Sequence, residues 1–272
     1  MGPRQPAALV PLFAALFGLA PSTAGQVGVR IGGFDADRGG ELSIATGSLL
    51  TEMRSYIFTA FPQTTLSGAP ALTPAYLASI DVLVIASPTS TGGTAAPLTV
   101  DEQNAVRGFV IGGGTALLFI DNPDFVGANA SITAAFGIGV SSVRDDGTAT
   151  FVPGVASQVQ SGRFGTVSSF EEFDTGAFSS PGPDGQVAAT FWNGLAALVH
   201  IPKGQLGPGS GSVTAFADTS MLFDGTFLTQ QNRTVVLNAI ASGVPHYVRS
   251  DWDGDGHLSV ADIFLFLNDW FY

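Results

Sequence analysis

The stretch from Asp81 to Asp121 limits the possible folds more than any other part of the chain. Asp81-Val82-Leu83-Val84-Ile85-Ala86 and Thr115-Ala116-Leu117-Leu118-Phe119-Ile120 are apolar runs without polar alternation. A strand wetted on one side alternates apolar and polar residues, so an unbroken run belongs to a parallel strand covered on both faces. Between the runs, Thr99-Val100-Asp101-Glu102 reads as a helix start, with Thr99 as cap and Glu102 completing a capping box. Ala105, Val106, Phe109 and Val110 supply the inner face of that helix, and Gly112-Gly113-Gly114 stop it. Strand, helix and strand in this order predict a parallel sheet with right-handed crossovers.

The flanking segments extend the pattern. Val27-Gly28-Val29-Arg30-Ile31-Gly32-Gly33 reads as a first strand, and Phe34 to Gly40 as a polar loop carrying Asp35 and Asp37. Leu49, Leu50, Met53, Tyr56, Ile57 and Phe61 recur at helical spacing until Pro62 ends the helix. Thr73-Pro74 opens a short helix with proline in its first turn. Residues 137–199 are rich in Gly, Ser, Thr and Phe and read as a β-rich insertion in the same domain. Leu195 to Ile201 and Ser212 to Ala217 return to a strand-like pattern. Thr229 to Ala241 forms a last amphipathic helix, with Val235, Val236, Leu237 and Ile240 inward and Gly243 as its stop. The expected organisation is an α/β domain over 27–243, a linker over 244–250, and a short module over 251–272.

The first residues have the features of an export signal. Arg4 precedes an apolar stretch from Ala7 to Ala20, and Ser22 and Ala24 supply the small residues of a cleavage site, so 1–24 reads as a signal peptide. That stretch is shorter than the ~20 residues a helical span needs, so no membrane span is expected and the protein is placed outside the cell or on its surface. The sequence has no cysteine, which excludes disulfides, thiolate zinc sites and cysteine nucleophiles. The net charge of −12 repels phosphate backbones, so nucleic acid is not an expected partner, and it attracts hard cations.

The extreme C-terminus carries the sharpest motif. Asp251-Trp252-Asp253-Gly254-Asp255-Gly256-His257-Leu258-Ser259-Val260-Ala261-Asp262 follows the EF-hand loop pattern, with Asp in the closing place. Asp251, Asp253 and Asp255 supply carboxylate oxygens, Gly256 the sharp turn, and His257 its backbone carbonyl rather than its ring. Ser259 contributes an oxygen directly or through water, and Asp262 closes the shell around Ca2+. The segment that follows, Ile263-Phe264-Leu265-Phe266-Leu267-Asn268-Asp269-Trp270-Phe271-Tyr272, is apolar on nearly all sides and must find a surface to cover.

Asp251 to Phe271 resembles a single-copy dockerin-like module of exported bacterial proteins. The resemblance implies calcium at Asp251, Asp253, Asp255, Ser259 and Asp262. It also implies anchoring or sorting through a surface receptor, a cohesin-like protein or a scaffold protein. The main domain resembles the non-catalytic branches of the class I glutamine-amidotransferase-like superfamily, which is flavodoxin-like in fold. The residues that carry this are Ile80 to Ile85, Leu98-Thr99 with Glu102, Gly112 to Gly114, Leu117 to Asp121, and Val213 to Ser220 with Asn232 and Asn238. Amidotransferase chemistry needs a cysteine nucleophile, which this chain lacks.

Other chemistry has few candidates. His200, His246 and His257 are the only histidines, and no G-x-S-x-G elbow is present, so a serine triad is not expected. Asp35, Asp121 and Asp218 each follow a strand, and in a parallel sheet such loops gather at the carboxyl edge where ligands bind. These carboxylates either cap the backbone or line a site for a sugar or a metal. Two expectations follow. One is an exported non-enzymatic binding protein docked through its calcium module. The other is a secreted carbohydrate-active hydrolase that acts on a polysaccharide through the strand-end carboxylates.

Overall fold

A computed structural model describes residues 28–86, 97–227, 229–244, 259–261 and 263–264. The chain opens with β1 (Arg30–Phe34), α1 (Ala36–Gly39), α2 (Thr51–Ala60), β2 (Thr65–Ala69), α3 (Pro74–Leu77) and β3 (Val82–Ala86). It continues with α4 (Val100–Ile111), β4 (Thr115–Phe119) and α5 (Val126–Ala134). The insertion holds β5 (Gly139–Val140), β6 (Asp145–Phe151), α6 (Ser157–Gln160), β7 (Ser161–Gly162), β8 (Gly165–Thr166), β9 (Ser169–Thr175), β10 (Phe178–Ser180) and β11 (Gln186–Thr190). Then come β12 (Ala196–Ile201), β13 (Val213–Phe216) and α7 (Gln230–Gly243).

The main sheet has the order β2-β1-β3-β4-β13-β12-β11-β6-β9. From β2 to β13 every pair is parallel, and beyond β13 every pair is antiparallel. The parallel half has flavodoxin-like connectivity, with β13 in the fifth place. The β-rich insertion thus extends the same sheet, while its β7 and β8 pair as a separate two-stranded sheet. β4, β12 and β13 are buried along their whole length, as their apolar sequences require. At the carboxyl ends of β4 and β13 the Phe119 and Phe216 rings stack with centroids 4.7 Å apart.

The capping box of α4 forms as expected: Thr99 Oγ1 accepts from the Glu102 amide, and the Glu102 carboxylate accepts from the Thr99 amide. Three features differ from the sequence reading. The polar loop at 34–40 contains a helical turn, because Asp35 caps it by accepting from the Arg38 amide. β2 and α5 carried no sequence signal of their own. β2 is a half-exposed edge strand formed on β1. α5 holds Asn129, which copies a strand by exchanging two bonds with the Asp121 backbone at 3.0 and 2.7 Å. Among the described residues, no helix is long and apolar enough to cross a bilayer; the stretch from Ala7 to Ala20 and the signal-peptide reading of 1–24 lie outside them.

α7 packs on the sheet through small residues and two buried amides. Gly243 is its last helical residue rather than a residue beyond its end. A Cβ there would lie 2.0 Å from Thr115 Oγ1 at the start of β4, so the glycine is needed for close approach. Gly243→Ala should push α7 away from β4 and cost about 1–3 kcal/mol. The expected readout is a lower urea midpoint with an unchanged m-value, and an unchanged midpoint would refute the packing argument.

Candidate functional site

The carboxyl edge of the sheet is where the strand-end aspartates are expected to meet. Asp121 and Asp218 follow the adjacent strands β4 and β13 and are close enough for the charge of Asp121 to act on Asp218. Asp35 does not join them. It follows β1, which lies two strand spacings from β4, roughly 10 Å, and its side chain caps α1.

Neither Asp121 nor Asp218 faces solvent: Asp121 is 3% exposed and Asp218 0%. β9 and the residues after it cross the ends of β4 and β13. Thr175 Oγ1 donates to the Ala217 carbonyl, and the Gly176 amide donates to the same oxygen at 3.2 Å. The two Asp218 oxygens accept from the Phe173 amide at 2.7 Å and the Ser220 amide at 2.5 Å. Burial pushes the Asp218 carboxyl up to about 7 against the pull of these amides, with Asp121 adding to the rise. Burial likewise raises Asp121 to about 6, opposed by the Asn122 amide.

β9 brings a third acid that sequence reasoning missed. Glu172 is fully buried, and neither carboxyl oxygen has a hydrogen-bond partner. Its nearest donor, the Ala217 amide, is committed to the Ala197 carbonyl. Burial, with Asp218 and Asp145 beside it, holds its carboxyl well above the ordinary range. The signal was present in the alternation of Ser169–Thr175, which places Glu172 on the same inward face as Phe170. These acids do not converge as a metal site, since among the described residues no group of three or more potential ligands is so arranged.

The solvent-facing groups at this edge are different ones. Arg144 bridges Asp124 at 2.6 Å and Asp174 at 2.5 Å, with all three side chains substantially exposed. Asp174 has a left-handed backbone, φ 52, unusual outside glycine. Asn193 Nδ2 donates to Asp145 Oδ2 at 2.5 Å. Between β1 and β3, the switch point of the parallel sheet, a cavity of about 500 Å³ is lined by Arg38, Leu72, Pro97 and Glu102 among others. Here Glu102 is structural. Burial alone would raise its carboxyl, but the Arg38 guanidinium and the Thr99 and Leu72 amides hold it at about 2. A larger groove, about 920 Å³, lies at the opposite edge between α3 and α4. Several glycines line it, Arg30 and Asp81 are joined across it at 2.6 Å, and Asp101 and Asn104 are its other polar side chains.

His200 lies buried on β12, its Nδ1 3.1 Å from Thr214 Oγ1, and burial lowers it to about 4. Of the calcium-loop residues, Asp251, Asp253, Asp255, His257 and Asp262 lie outside the described residues. Ser259 is exposed, and its Oγ accepts from the Ala261 amide at 3.1 Å. Residues 260, 261, 263 and 264 are helical, and Val260, Ile263 and Phe264 are exposed.

No family model matches the chain, and no curated protein matches it. Solved structures do. The mmIFT52 N-terminal domain superimposes with a TM-score of 0.57 at 11% identity, covering 76% of this chain and 93% of that one. A GMP synthase-like protein from Thermoplasma acidophilum gives 0.48 at 14% identity, covering 79% and 94%. A ThuA-like protein from Bacteroides uniformis gives 0.42 at 12% identity, covering 80% and 91%. Likeness at these identities is one of fold alone.

The buried acids make a pH prediction with a fixed sign. A carboxyl whose folded-state value is raised binds more protons folded than unfolded, so it costs stability as pH rises above its ordinary value, 4.5 for Glu172. Glu172→Gln removes that cost. The variant should match the wild type near pH 4 and become progressively more stable than it towards pH 8 in urea unfolding. A difference independent of pH would show that Glu172 is ionised in the folded protein. The comparison cancels His200, whose depressed value acts with the opposite sign below 6.5.

Proposed function

We propose that this is an exported, non-enzymatic binding protein whose α/β domain recognises an extracellular or surface ligand. A C-terminal Ca2+ module over 251–272 docks it to a receptor, a cohesin-like protein or another scaffold. The observation that carries the reading is the sealing of Asp121 and Asp218 beneath β9. A carboxyl that acts as acid or base must reach the atom it protonates or deprotonates, and these two bond to backbone amides inside the protein. That disfavours the hydrolase reading, which needs two carboxyls flanking a bound glycosidic bond. The solvent-facing groups at the same edge are suited to holding a polar ligand without transforming it.

The docking half of the proposal rests on the sequence of the loop. Asp251, Asp253, Asp255, the His257 carbonyl, Ser259 and Asp262 would give a hard, oxygen-only shell that fits Ca2+. The exposed Val260, Ile263 and Phe264 add an uncovered apolar face next to it. The test is calorimetric titration of the mature protein with calcium, alongside an Asp251→Ala, Asp253→Ala variant. The expected result is saturable binding near one calcium per chain that disappears in the variant. An absence of binding in the wild-type protein would reduce the loop to an acidic turn and remove calcium from the docking proposal.

A further inference from the structure

The most exposed large apolar side chain among the described residues is Trp192, at 86%. It sits at the tip of the β11–β12 hairpin, on a loop held by its own bonds. The Gly194 amide donates to the Phe191 carbonyl at 3.0 Å, the Phe191 amide to the Leu195 carbonyl at 2.9 Å, and Asn193 Oδ1 accepts from the Leu195 amide at 3.0 Å. Gly194 takes the left-handed position, φ 85, that such a turn requires. The loop backbone that carries the indole is therefore already ordered and need not be ordered on binding. Leu198 pairs with Phe216, so the hairpin projects at the carboxyl edge of the parallel strands. That is the edge at which α/β proteins bind ligands.

The surroundings of the indole indicate what it would bind. The Asn193–Asp145 bond ties the hairpin to the start of β6. Arg144 is the next residue along and pairs with Asp174, beside the two-fifths-exposed Phe173. A site for a protein partner would surround the aromatic anchor with a broad apolar zone low in charge. Here the Trp192 ring, with Phe173 and Val143 partly exposed along the same edge, lies next to a strip of carboxylate, amide and guanidinium groups. A sugar ring has the matching form, with one C–H face to lie on the indole and hydroxyls at its rim that donate to carboxylates and accept from Arg and Asn.

We propose that the surface formed by Trp192, Asn193, Asp145, Arg144 and Asp174 is a carbohydrate-binding site. It stacks a pyranose face on the Trp192 indole and holds the ring hydroxyls along the Arg144–Asp174 strip. This rests on reading the α/β domain as a binding module and names the ligand class of that module. The acids buried beneath β9 take no part in it. An exposed Trp that serves only as a surface side chain could be replaced without consequence, which makes the proposal testable.

The experiment is native affinity electrophoresis of the mature protein through gels containing soluble β-glucan, xylan, galactomannan or pectin, run with calcium and with EDTA. Trp192→Ala and Arg144→Ala variants run beside it, and thermal melts confirm that both are folded. The expected result is retardation by at least one polysaccharide in either buffer, weakened on the order of tenfold or more by Trp192→Ala, the loss expected when an indole face is removed. Arg144→Ala should weaken the same polysaccharide. Retardation by none of them, or retardation unaltered in folded Trp192→Ala, overturns the proposal and leaves the calcium module standing. Retardation accompanied by release of reducing sugar keeps the site but overturns the non-enzymatic reading. Association of the protein with itself through Trp192, seen in sedimentation without any polysaccharide effect, would assign the surface to a protein contact and overturn the proposal.

Discussion

A buried amide on α7 governs the arrangement of the second half of this protein. Asn232 Oδ1 accepts from the Glu171 amide at 2.9 Å, and its Nδ2 donates to the Glu171 carbonyl at 3.0 Å. A sheet edge strand normally offers these groups to water or to another chain. Here the helix side chain takes the place of a neighbouring strand. Asn238 does the same for the β7–β8 hairpin, accepting from the Phe164 amide and donating to the Val159 and Gly165 carbonyls. Through β11, β6 and β9 the insertion continues the sheet beyond β12. These ties bring its last strand back onto the domain and over the ends of β4 and β13. Without them there would be an open crevice at Asp121 and Asp218. With them the crevice is filled by backbone.

That closure explains the electrostatics of the edge. Three acids, Asp121, Glu172 and Asp218, are shut into one region with each other as neighbours, and the nearby guanidinium of Arg144 is turned outward to Asp124 and Asp174. Burying a carboxylate is costly, and a shared site for like charges is more so. The protein meets that cost differently at each acid. Asp218 takes two amides, Asp121 takes one, and the Glu172 oxygens take none, and burial raises all three carboxyls. The same residue type does opposite work across the sheet, where Glu102 lies between Arg38 and two amides and stays ionised far below neutrality.

The parts of the fold legible in the sequence were those whose signal is local. The apolar runs of β3 and β4 and the Thr99–Glu102 box are determined by adjacent residues, and the structure has them where the sequence places them. β2 was not legible, because Thr65–Ala69 contains Ser67 and Gly68 and is a strand only by pairing with β1. α5 was not legible either: Gly127, Asn129 and Ser131 spoil its periodicity, and it is helical because it packs against the end of β4. Of the site, the edge was legible from strand order, but the exposure of its aspartates was not, since that depends on a strand some fifty residues away in sequence crossing over them. The Asn193-Gly194 pair between two strand-like runs is a hairpin signal and would have located the Trp192 tip.

The positions of the chain ends relative to this edge also favour an anchored binding protein. β1 begins at Arg30, and α7 ends beside Thr115, the first residue of β4, so both ends of the α/β domain lie at the amino edge of the parallel strands. The Trp192 hairpin and the Arg144 strip lie at the opposite edge. Val244, which follows α7, therefore lies on the side away from the proposed binding surface. A domain that used its carboxyl-edge acids for catalysis would need that edge to open and close around a substrate. In this fold the strand across the edge is tied to α7 at Glu171, to Asp218 at Phe173 and to Ala217 at Thr175 and Gly176. Those bonds fix β9 along its length, which suits a rigid surface that recognises a ligand better than a lid that must move.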